Sequence, residues 1–461
     1  MPLILGTNSI KDTGFDVANS CRFESAYLNK SVTASSSTSW TLSFWIKIHS
    51  HSSSAEGYLW SCGSSSAGQG FYISTTSYLG YYGGSGYGSD SSVTNGVLRD
   101  PSAWYHVVFK VSSGTGTTYI NGTQQTGTVS SVAPLNAHTG DEMTVNTYTA
   151  DKAGYDDCKC SLAEYCFIDG TAYSASDFGE FDEDSPRIWK PKDVSGLTFG
   201  TNGFYLDFED SSALGDDAKG SFDFTVNSIA ATDQSSDSPT NNFATLNPLD
   251  VFDDDGRTLS EGNLNFATSS GNNGDITGTI AVSGSGKWYF ETKVSAQSGT
   301  ASSSARFGIV GVRDLNKSTP YVAGNSYYMY SDGRKEDGAN TTNGAHPGYS
   351  TNDIVQVALD LDNARIFFGL NGNWGDNDGN FDETFGDATA FFTSINTDGF
   401  WSGYLQKNVT NDNALTLSAN FGSPSFSISS GNSDANGYGN FEYAVPSGYY
   451  ALCTKNLSEF G

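Results

Sequence analysis

The chain has 461 residues, enough for two or three domains, and its 23 basic and 51 acidic residues give a net charge of −28. A balance this acidic disfavours nucleic acid and anionic membranes as partners. No apolar run is long enough to insert into a membrane, and six cysteines are too few for a disulfide scaffold. With 13% aromatic residues, 53 Gly and 3 Met, the composition predicts strands and turns rather than helices.

The first clear strand is the run WTLSFWIKIH at 40–49. Leu42, Phe44 and Ile46 alternate with the residues between them, a period of two that predicts a half-buried strand. Similar aromatic and β-branched runs continue along the first half, so we expect an antiparallel meander there.

One arrangement occurs twice along the chain. WYHVVFKV, the link SSGTG and TTYI precede Asn121-Gly122, and DIVQVALDLD, the link DNA and RIFFGL precede Asn371-Gly372. Asn-Gly suits a type I′ hairpin turn because both residues tolerate positive φ. We therefore predict two similar antiparallel sandwiches, although Asn-Gly pairs are also common in any all-β protein.

Between the halves, residues 209–250 are mostly polar and indicate a connector with a short strand at FDFTV. The run TAYSASDFGEFD allows one helical turn, with Ser174 or Ser176 as its cap. We predict no helix longer than this single turn.

Several of these segments resemble known families. Residues 16–208 resemble laminin-G-like (LamG) concanavalin A-type jelly rolls, through WTLSFWIK, AWYHVVFKV, TTYINGTQ and AEYCFIDGTAYSASDFGEFDED. Residues 251–461 resemble a SPRY domain, through GKWYFETKV, RFGIVGV, DIVQVALDLDNARIFFGLNGNW and ANFGSPSF before VPSGYYAL. The resemblance implies an all-β protein with two concanavalin A-like antiparallel β-sandwich (jelly-roll) domains in tandem.

The whole layout resembles structural proteins of marine tailed bacteriophages that are assigned to tail fibres or other virion appendages. This resemblance implies a virion protein made in the host cytoplasm and released by lysis, with residues 1–15 as a candidate virion anchor. Its partners would be other virion proteins and a host-surface glycan or receptor, and it would form a homo-oligomer, plausibly a trimer. The alternative is a structural or decoration protein whose sandwiches bind only other virion subunits.

The jelly-roll family also contains glucanases, so we compared the sequence with their catalytic strand motif, E-x-D-x-x-E. The nearest string is EFDEDS, in which Glu180 and Asp182 match while Ser185 stands where the acid/base Glu is needed. No nucleophile elbow with a strand-to-helix context is present. We therefore expect binding without catalysis, and a solvated acidic loop at this string.

Calcium is the candidate cofactor, because hard oxygen ligands are dense in the run WGDNDGNFDE. Its candidate ligands are Asp376, Asp378, Asp382 and Glu383, with Asp253 to Asp255 as a second acidic run. Gly379 is misplaced for an EF-hand, so a solvated loop remains the alternative. The cysteines of CKCSLAEYC lack zinc-site spacing, which favours buried thiols.

Sugar binding by such sandwiches would use aromatic rings in loops. The candidates are Trp374, Trp401, Tyr404, Tyr321 and Tyr349 in the second half and Tyr81 and Tyr82 in the first. For each ring, packing in the core is the alternative. Trp104 and Trp288 lie within strand patterns and are expected in the cores.

Overall fold

The computed structural model forms two compact units, an N-terminal unit of residues 12–240 and a C-terminal unit of residues 241–461 to which Ile4 also belongs. It describes residues 4, 12–33, 35–50, 56–64, 67–83, 91–92, 94–134, 141–149, 158–250, 256–298, 305–311, 325–338, 340–407 and 414–461. A search of these described residues finds no helix with the length and apolar character needed to cross a membrane.

The N-terminal unit is built from strands. They are β1 (Ser20–Phe23), β2 (Tyr27–Ser31), β3 (Trp40–Ser50), β4 (Gly57–Ser64), β5 (Ala67–Ile73), β6 (Leu79–Tyr82), β7 (Ser91–Ser92), β8 (Trp104–Ser112), β9 (Thr115–Ile120), β10 (Thr123–Val129), β11 (Glu142–Val145), β12 (Lys159–Asp169), β13 (Gly179–Phe181), β14 (Trp189–Pro191), β15 (Phe204–Leu206), β16 (Thr225–Asn227) and β17 (Gln234–Ser235).

Two antiparallel sheets of this unit enclose its core. Within the described residues, an eight-stranded sheet has the order β10-β9-β8-β3-β12-β1-β17 with β15 also on β12, and a seven-stranded sheet has the order β16-β2-β11-β4-β5-β6-β7. Trp40 of β3 and Trp60 of β4 meet between the sheets with ring centroids 5.0 Å apart. Strands β13 and β14 form a separate hairpin.

The C-terminal unit is a second sandwich of two sheets. Its strands are β18 (Arg257–Ser260), β19 (Asn265–Thr268), β20 (Gly274–Thr277), β21 (Lys287–Gln297), β22 (Ala305–Gly311), β23 (Ser326–Tyr330), β24 (Lys335–Glu336), β25 (Thr341–Thr342), β26 (Ile354–Asp360), β27 (Arg365–Leu370), β28 (Asn373–Trp374), β29 (Phe392–Thr393), β30 (Trp401–Lys407), β31 (Leu415–Asn420) and β32 (Tyr450–Ala451).

In the described part of this unit, one sheet has nine strands and the other has six. The first has the order β18-β19-β31-β21-β26-β27-β28, with β29 on β27 and β32 parallel to β21, and the second has the order β20-β30-β22-β23-β24-β25. Trp288, Phe307 and Phe368 lie in the core between them. The predicted all-β sandwich architecture is confirmed.

The two Asn-Gly turns have the same geometry. The backbone N–H of Asn121 donates to the carbonyl of His106 at 2.9 Å, and the Asn121 side chain accepts the His106 N–H at 2.8 Å. Asn371 makes the same pair of bonds with Ile354, both at 2.9 Å. In each case the asparagine extends the pairing of the two preceding strands into the turn.

Each turn glycine lies beneath an aromatic ring from a later segment. Gly122 has φ +72° and Gly372 has φ +91°, the left-handed region that glycine adopts without a steric penalty. A Cβ at Gly122 would lie 2.3 Å from the Trp189 ring, and one at Gly372 would lie 2.8 Å from Tyr443. Asn-Gly is therefore required both by the turn and by the ring packed on it.

Strand β3 differs from the half-buried strand expected. Its predicted inward residues lie in the core, but its other face is also buried, because Trp45 packs with Val17, Trp104 and Ala163. A layer outside the eight-stranded sheet covers this face.

The segment predicted as a connector is divided between the two units and packs within each. Leu214 and Phe224 are buried in the N-terminal core, while Phe243 and Leu246 are buried in the C-terminal unit. Its few large apolar side chains are sufficient to anchor an otherwise polar chain.

Helical structure is sparse in the described residues. The predicted turn is a 3-10 helix, Ala175–Asp177, with Ser174 at its N-cap, and further 3-10 turns lie at Ala231–Asp233 and Asp387–Thr389. One α-helix, α1 (Thr454–Phe460), was not predicted; Leu457 anchors it in the core.

Candidate functional site

Most of the predicted ligand-binding rings are buried, so their faces contact protein groups. Trp374 is 4% exposed and packs on Phe385, and Trp401 is 1% exposed. The hydroxyl of Tyr404 donates to Asp275 at 3.2 Å. Other side chains cover the ring faces of these three residues, so the rings offer no exposed surface on which a sugar could stack.

Tyr349 and Tyr321 are the other two rings predicted in the C-terminal unit. Tyr349 is buried and donates its hydroxyl to the carbonyl of Ala305 at 2.7 Å. Tyr321 lies outside the described residues.

Tyr81 and Tyr82 lie on opposite faces of β6, because side chains alternate along a strand. Tyr81 points into the core and donates to the Gln69 side chain at 2.7 Å, and its burial raises the pKa of its hydroxyl. Tyr82 is half-buried on the outer face of the seven-stranded sheet. Of the seven predicted rings, Tyr82 alone among the described ones combines partial exposure with an outer sheet position.

Tyr82 belongs to a cluster of four tyrosines on this outer face. The ring centroids of Tyr58 and Tyr72 are 5.5 Å apart, those of Tyr58 and Tyr148 are 4.7 Å apart, and Tyr82 meets Tyr148 edge-on at 6.0 Å. We call this surface, with the glycines beneath it, the tyrosine face. Tyr82 and Tyr148 are its half-buried members and therefore its accessible rings.

Glycines provide the floor on which these rings lie. A Cβ at Gly70 would lie 2.5 Å from the Tyr58 ring, and a Cβ at Gly80 would lie 2.3 Å from the Tyr72 ring. The two rings thus lie flat across neighbouring strands, an arrangement that any larger residue would prevent. At Gly68 the space is less filled, since its nearest neighbours would be 3.4 Å from an added Cβ.

A hydroxyl network fixes the turn that carries Tyr148. The Ser61 hydroxyl accepts the N–H of Thr149 at 2.9 Å and lies 2.7 Å from the Thr144 hydroxyl, which donates to the carbonyl of Thr147 at 2.7 Å. These contacts bind the turn to β4 and β11. The Thr149 hydroxyl is buried beside Gly68 and has no hydrogen-bond partner.

Sequence reasoning did not identify Tyr58, Tyr72 and Tyr148 as members of one surface. The available signal was the alternation in GQGFY and LGYYGG, which places Tyr72 on the same face as Gly68 and Gly70, and Tyr82 on the same face as Gly80. Pairing of β11 with β4 brings Tyr148 to Tyr58, a contact between residues about 90 positions apart that no local pattern specifies.

The predicted calcium ligands do not converge. No group of three or more Asp, Glu, His or Cys side chains suited to a metal ion occurs within the described residues, and Asp376 and Asp378 instead accept backbone N–H groups of their own loop. The ammonium of Lys335 lies in this region, bonded to the side chain of Asn377 at 2.7 Å and to the carbonyl of Phe391 at 2.6 Å. The second acidic run, at 253–255, lies outside the described residues. All six cysteines are buried free thiols, as predicted.

The string that resembles the glucanase motif stabilises a loop. Asp182 accepts the N–H of Ser185 at 2.8 Å and an ammonium bond from Lys190 at 3.2 Å. The Ser185 N–H and Lys190 lower the pKa of the Asp182 carboxyl. Glu180 is exposed on β13.

Two buried carboxyl groups have strongly raised pKa values, and both lie away from the tyrosine face. Burial raises the pKa of Glu164 to about 8, and its carboxylate accepts the hydroxyl of Tyr205 at 2.6 Å. Burial raises the pKa of Glu291 to about 7, while its oxygens accept bonds from Tyr289, Asn420 and two backbone N–H groups. Glu164 thereby links β12 to β15, and Glu291 links β21 to the backbone of Glu442 and Tyr443.

Comparison with known proteins gives one family match. Residues 24–158 match the model described as the concanavalin A-like lectin/glucanases superfamily, of the laminin G type. No curated protein matches the chain.

Three solved structures are among those to which the chain shows similarity. A Bacteroides ovatus protein described as a candidate carbohydrate binding protein has a TM-score of 0.35 and 17% identity, covering 47% of this chain and 60% of its own. The SPRY domain of human HERC1 has a TM-score of 0.26, 14% identity and coverages of 35% and 91%. A pentraxin from Limulus polyphemus has a TM-score of 0.29, 16% identity and coverages of 47% and 97%. This chain thus spans 60% of the length of the first of these proteins. Over residues 24–158, within the N-terminal unit, the chain is therefore similar to LamG-type, concanavalin A-like domains.

Proposed function

We propose that the N-terminal unit binds glycans, without catalysis, at the tyrosine face. One observation carries the proposal: the half-buried rings of Tyr82 and Tyr148 meet on the outer face of the seven-stranded sheet, where glycines let the rings of Tyr58 and Tyr72 lie flat beside them. The match to a family described as lectins and glucanases supports it, since residues 24–158 contain all four tyrosines.

The physical basis is the pairing of aromatic rings with the apolar faces of sugars. A tyrosine ring presents a large, rigid apolar surface and a hydroxyl at one end, so it can stack on a sugar ring and hydrogen-bond beside it. Asn29 and Glu142 lie on the same outer face and supply amide and carboxylate groups for sugar hydroxyls.

The absence of catalysis is part of the proposal. Retaining glucanases need two carboxyl groups about 5–5.5 Å apart across the scissile bond. Of the motif residues, Asp182 is engaged by its own loop and by Lys190, which supports a structural role for it.

We further propose that the chain is part of a bacteriophage virion, as a tail fibre or similar appendage, and that its C-terminal unit is SPRY-like. These parts rest on the resemblance of the sequence. A homo-oligomeric appendage would present several tyrosine faces to one host surface, and weak contacts that act together give strong attachment. The competing role is decoration of the particle, with other virion subunits as the only partners.

The test is a glycan array probed with the purified full chain and two variants. Tyr148→Ala removes an accessible ring of the tyrosine face, whereas Tyr119→Ala removes a half-buried ring on the other sheet of the same unit and serves as the matched control. We expect saturable binding that Tyr148→Ala abolishes and Tyr119→Ala retains. Absence of binding by the folded wild-type chain, or equal loss in both folded variants, would refute the proposal and favour the decoration role.

A further inference from the structure

We propose that Asn343 and Asn95 are sites of spontaneous deamidation, whereas the fold protects the other Asn-Gly pairs of the chain from the same reaction. The sequence contains seven such pairs, at 95–96, 121–122, 202–203, 273–274, 343–344, 371–372 and 436–437. A glycine has no side chain to hinder attack by its own backbone nitrogen, which favours the reaction. Because all seven pairs share this following residue, differences in rate between them report mainly on the structure.

The reaction uses groups that every Asn-Gly pair carries. The backbone nitrogen of the glycine loses its proton to solvent base and attacks Cγ of the asparagine. The bond from Cγ to the amide nitrogen then breaks, and ammonia leaves with a proton taken from water. Water opens the resulting succinimide ring at either carbonyl, which gives aspartate or isoaspartate. The asparagine side chain must therefore rotate towards the next backbone nitrogen, and that nitrogen must release its proton.

The hairpin turn at Asn371 restrains both reacting groups. The Asn371 side-chain oxygen accepts the N–H of Ile354 at 2.9 Å, and its nitrogen donates to the carboxylate of Asp353 at 2.7 Å. The N–H of Gly372, whose nitrogen would attack, donates to the Gln356 side chain at 2.7 Å. Deamidation at this turn therefore requires these bonds to break first.

Two pairs of the N-terminal unit are held in a similar way. The Asn121 side-chain oxygen accepts the N–H of His106 at 2.8 Å. Asn202 is buried; its oxygen accepts the N–H of Thr33 at 2.9 Å, and its nitrogen donates to the carboxylate of Asp169 at 2.9 Å. Rotation of either side chain would break these contacts.

Two pairs of the C-terminal unit are also restrained. The Asn436 side chain donates to that of Asn456 at 2.9 Å. Asn273 is half-buried, and Gly274 after it is buried in β20, where it pairs with Lys407 of β30. Each hydrogen bond that must open before attack slows the reaction by roughly two- to tenfold.

Asn343 and Asn95 lack such restraints. Both are exposed, and within the part of the chain that the structure describes neither side chain makes a hydrogen bond. Asn343 follows β25, and no atom lies within 4 Å of the position of a Cβ at Gly344, so the ring of the intermediate has space to form. The Gly344 carbonyl lies 3.5 Å from the position of a Cβ at Gly379, so deamidation adds negative charge near the acidic loop.

The test follows all seven pairs in one sample of the purified full chain in mildly alkaline buffer. Peptide mapping by mass spectrometry measures the conversion of amide to acid at each pair over time, with the five restrained pairs as internal controls. A parallel sample in concentrated urea gives the rates without the fold. The variant Asp353→Ala removes the acceptor of the Asn371 side-chain nitrogen, and thermal unfolding checks that this variant is folded.

We expect Asn343 and Asn95 to convert in the folded chain roughly threefold or more faster than any of the other five, a difference that urea should abolish. Asp353→Ala should accelerate conversion at Asn371 roughly two- to tenfold and leave Asn343 unchanged. Conversion of Asn371 or Asn121 as fast as Asn343 in the folded wild-type chain, or no conversion at Asn343 and Asn95 while both react in urea, would overturn the inference. An unchanged rate at Asn371 in folded Asp353→Ala would contradict protection by the side-chain bond.

Discussion

Replacement of Glu164 by Gln should stabilise the protein in alkaline solution and have little effect in acid. Glu164 lies in a bulge of β12, with φ +48°, where the register with β3 shifts between Ala163 and Cys166. Its carboxyl group is 7% exposed and accepts the hydroxyl of Tyr205. Burial raises its pKa from 4.5 to about 8, with a smaller contribution from the neighbouring Asp207, Glu209 and Asp193 and an opposing one from that hydrogen bond.

The sign of the effect follows from proton uptake on folding. Below pH 4.5 the group is protonated in both the folded and the unfolded chain, so its folded-state contribution is fully present. Between pH 4.5 and about 8, folding must take up a proton, and stability falls by about 1.4 kcal/mol per pH unit. The limiting loss at pH 9 is about 5 kcal/mol. Glutamine has the same shape, keeps an oxygen for Tyr205 and does not titrate.

The assay is urea unfolding at pH 5, 7 and 9. The difference in the free energy of unfolding between Glu164→Gln and wild type should grow in favour of the variant from pH 5 to pH 9. Glu291, whose pKa is raised to about 7, weakens both proteins over the same range and cancels in the difference. Glu180→Gln, which makes the same substitution at an exposed position, serves as the matched control. A difference for Glu164→Gln that does not change with pH would refute the reasoning.

Three further predictions concern stability. Gly122→Ala should lower Tm, because its Cβ meets the Trp189 ring at positive φ, whereas Gly196→Ala, with nothing within 4 Å, should not; equal Tm values would contradict this packing. Trp374→Ala should cost about 3–5 kcal/mol in urea unfolding, because it empties a buried site; a loss below about 1 kcal/mol would show that this ring is not core. Because Asp376 and Asp378 accept backbone N–H groups of their own loop, a chelator should leave Tm unaltered, and a calcium-dependent rise in Tm would show that the loop binds the ion.

Local patterns in the sequence were sufficient for much of the fold. The alternation of Leu42, Phe44 and Ile46 gave the core face of β3, and each Asn-Gly pair marked a hairpin turn. These features depend on neighbouring residues, which is why a single sequence reveals them. The burial of the second face of β3 depends on Val17 and Trp104, which are distant in sequence, and the alternation contains no information about them.

The site was less predictable, because exposure of a ring is decided by remote segments. Trp374 follows an Asn-Gly turn and was expected in a loop, yet Phe385 and Tyr449 cover this part of the chain. Tyr82 was among the predicted rings and lies half-buried on the outer face, but the rings beside it, Tyr58 and Tyr148, come from other parts of the chain. A metal site also needs ligands that converge in space, and a run of acidic residues in the sequence contains no information about that convergence.

The most direct test of glycan binding at the tyrosine face is the affinity of Gly68→Ala for the best array ligand. The added Cβ would lie 3.4 Å from the hydroxyl oxygens of Tyr148 and Thr149 and from the carbonyl oxygen of Cys62, an ordinary contact distance, so it adds a methyl group beside Tyr148 with little strain on the sheet. Gly196→Ala is the matched control in the same unit. We predict that Gly68→Ala keeps the wild-type Tm and loses affinity, while Gly196→Ala keeps both. Wild-type affinity in a folded Gly68→Ala protein would contradict the account and place any glycan site elsewhere on the chain.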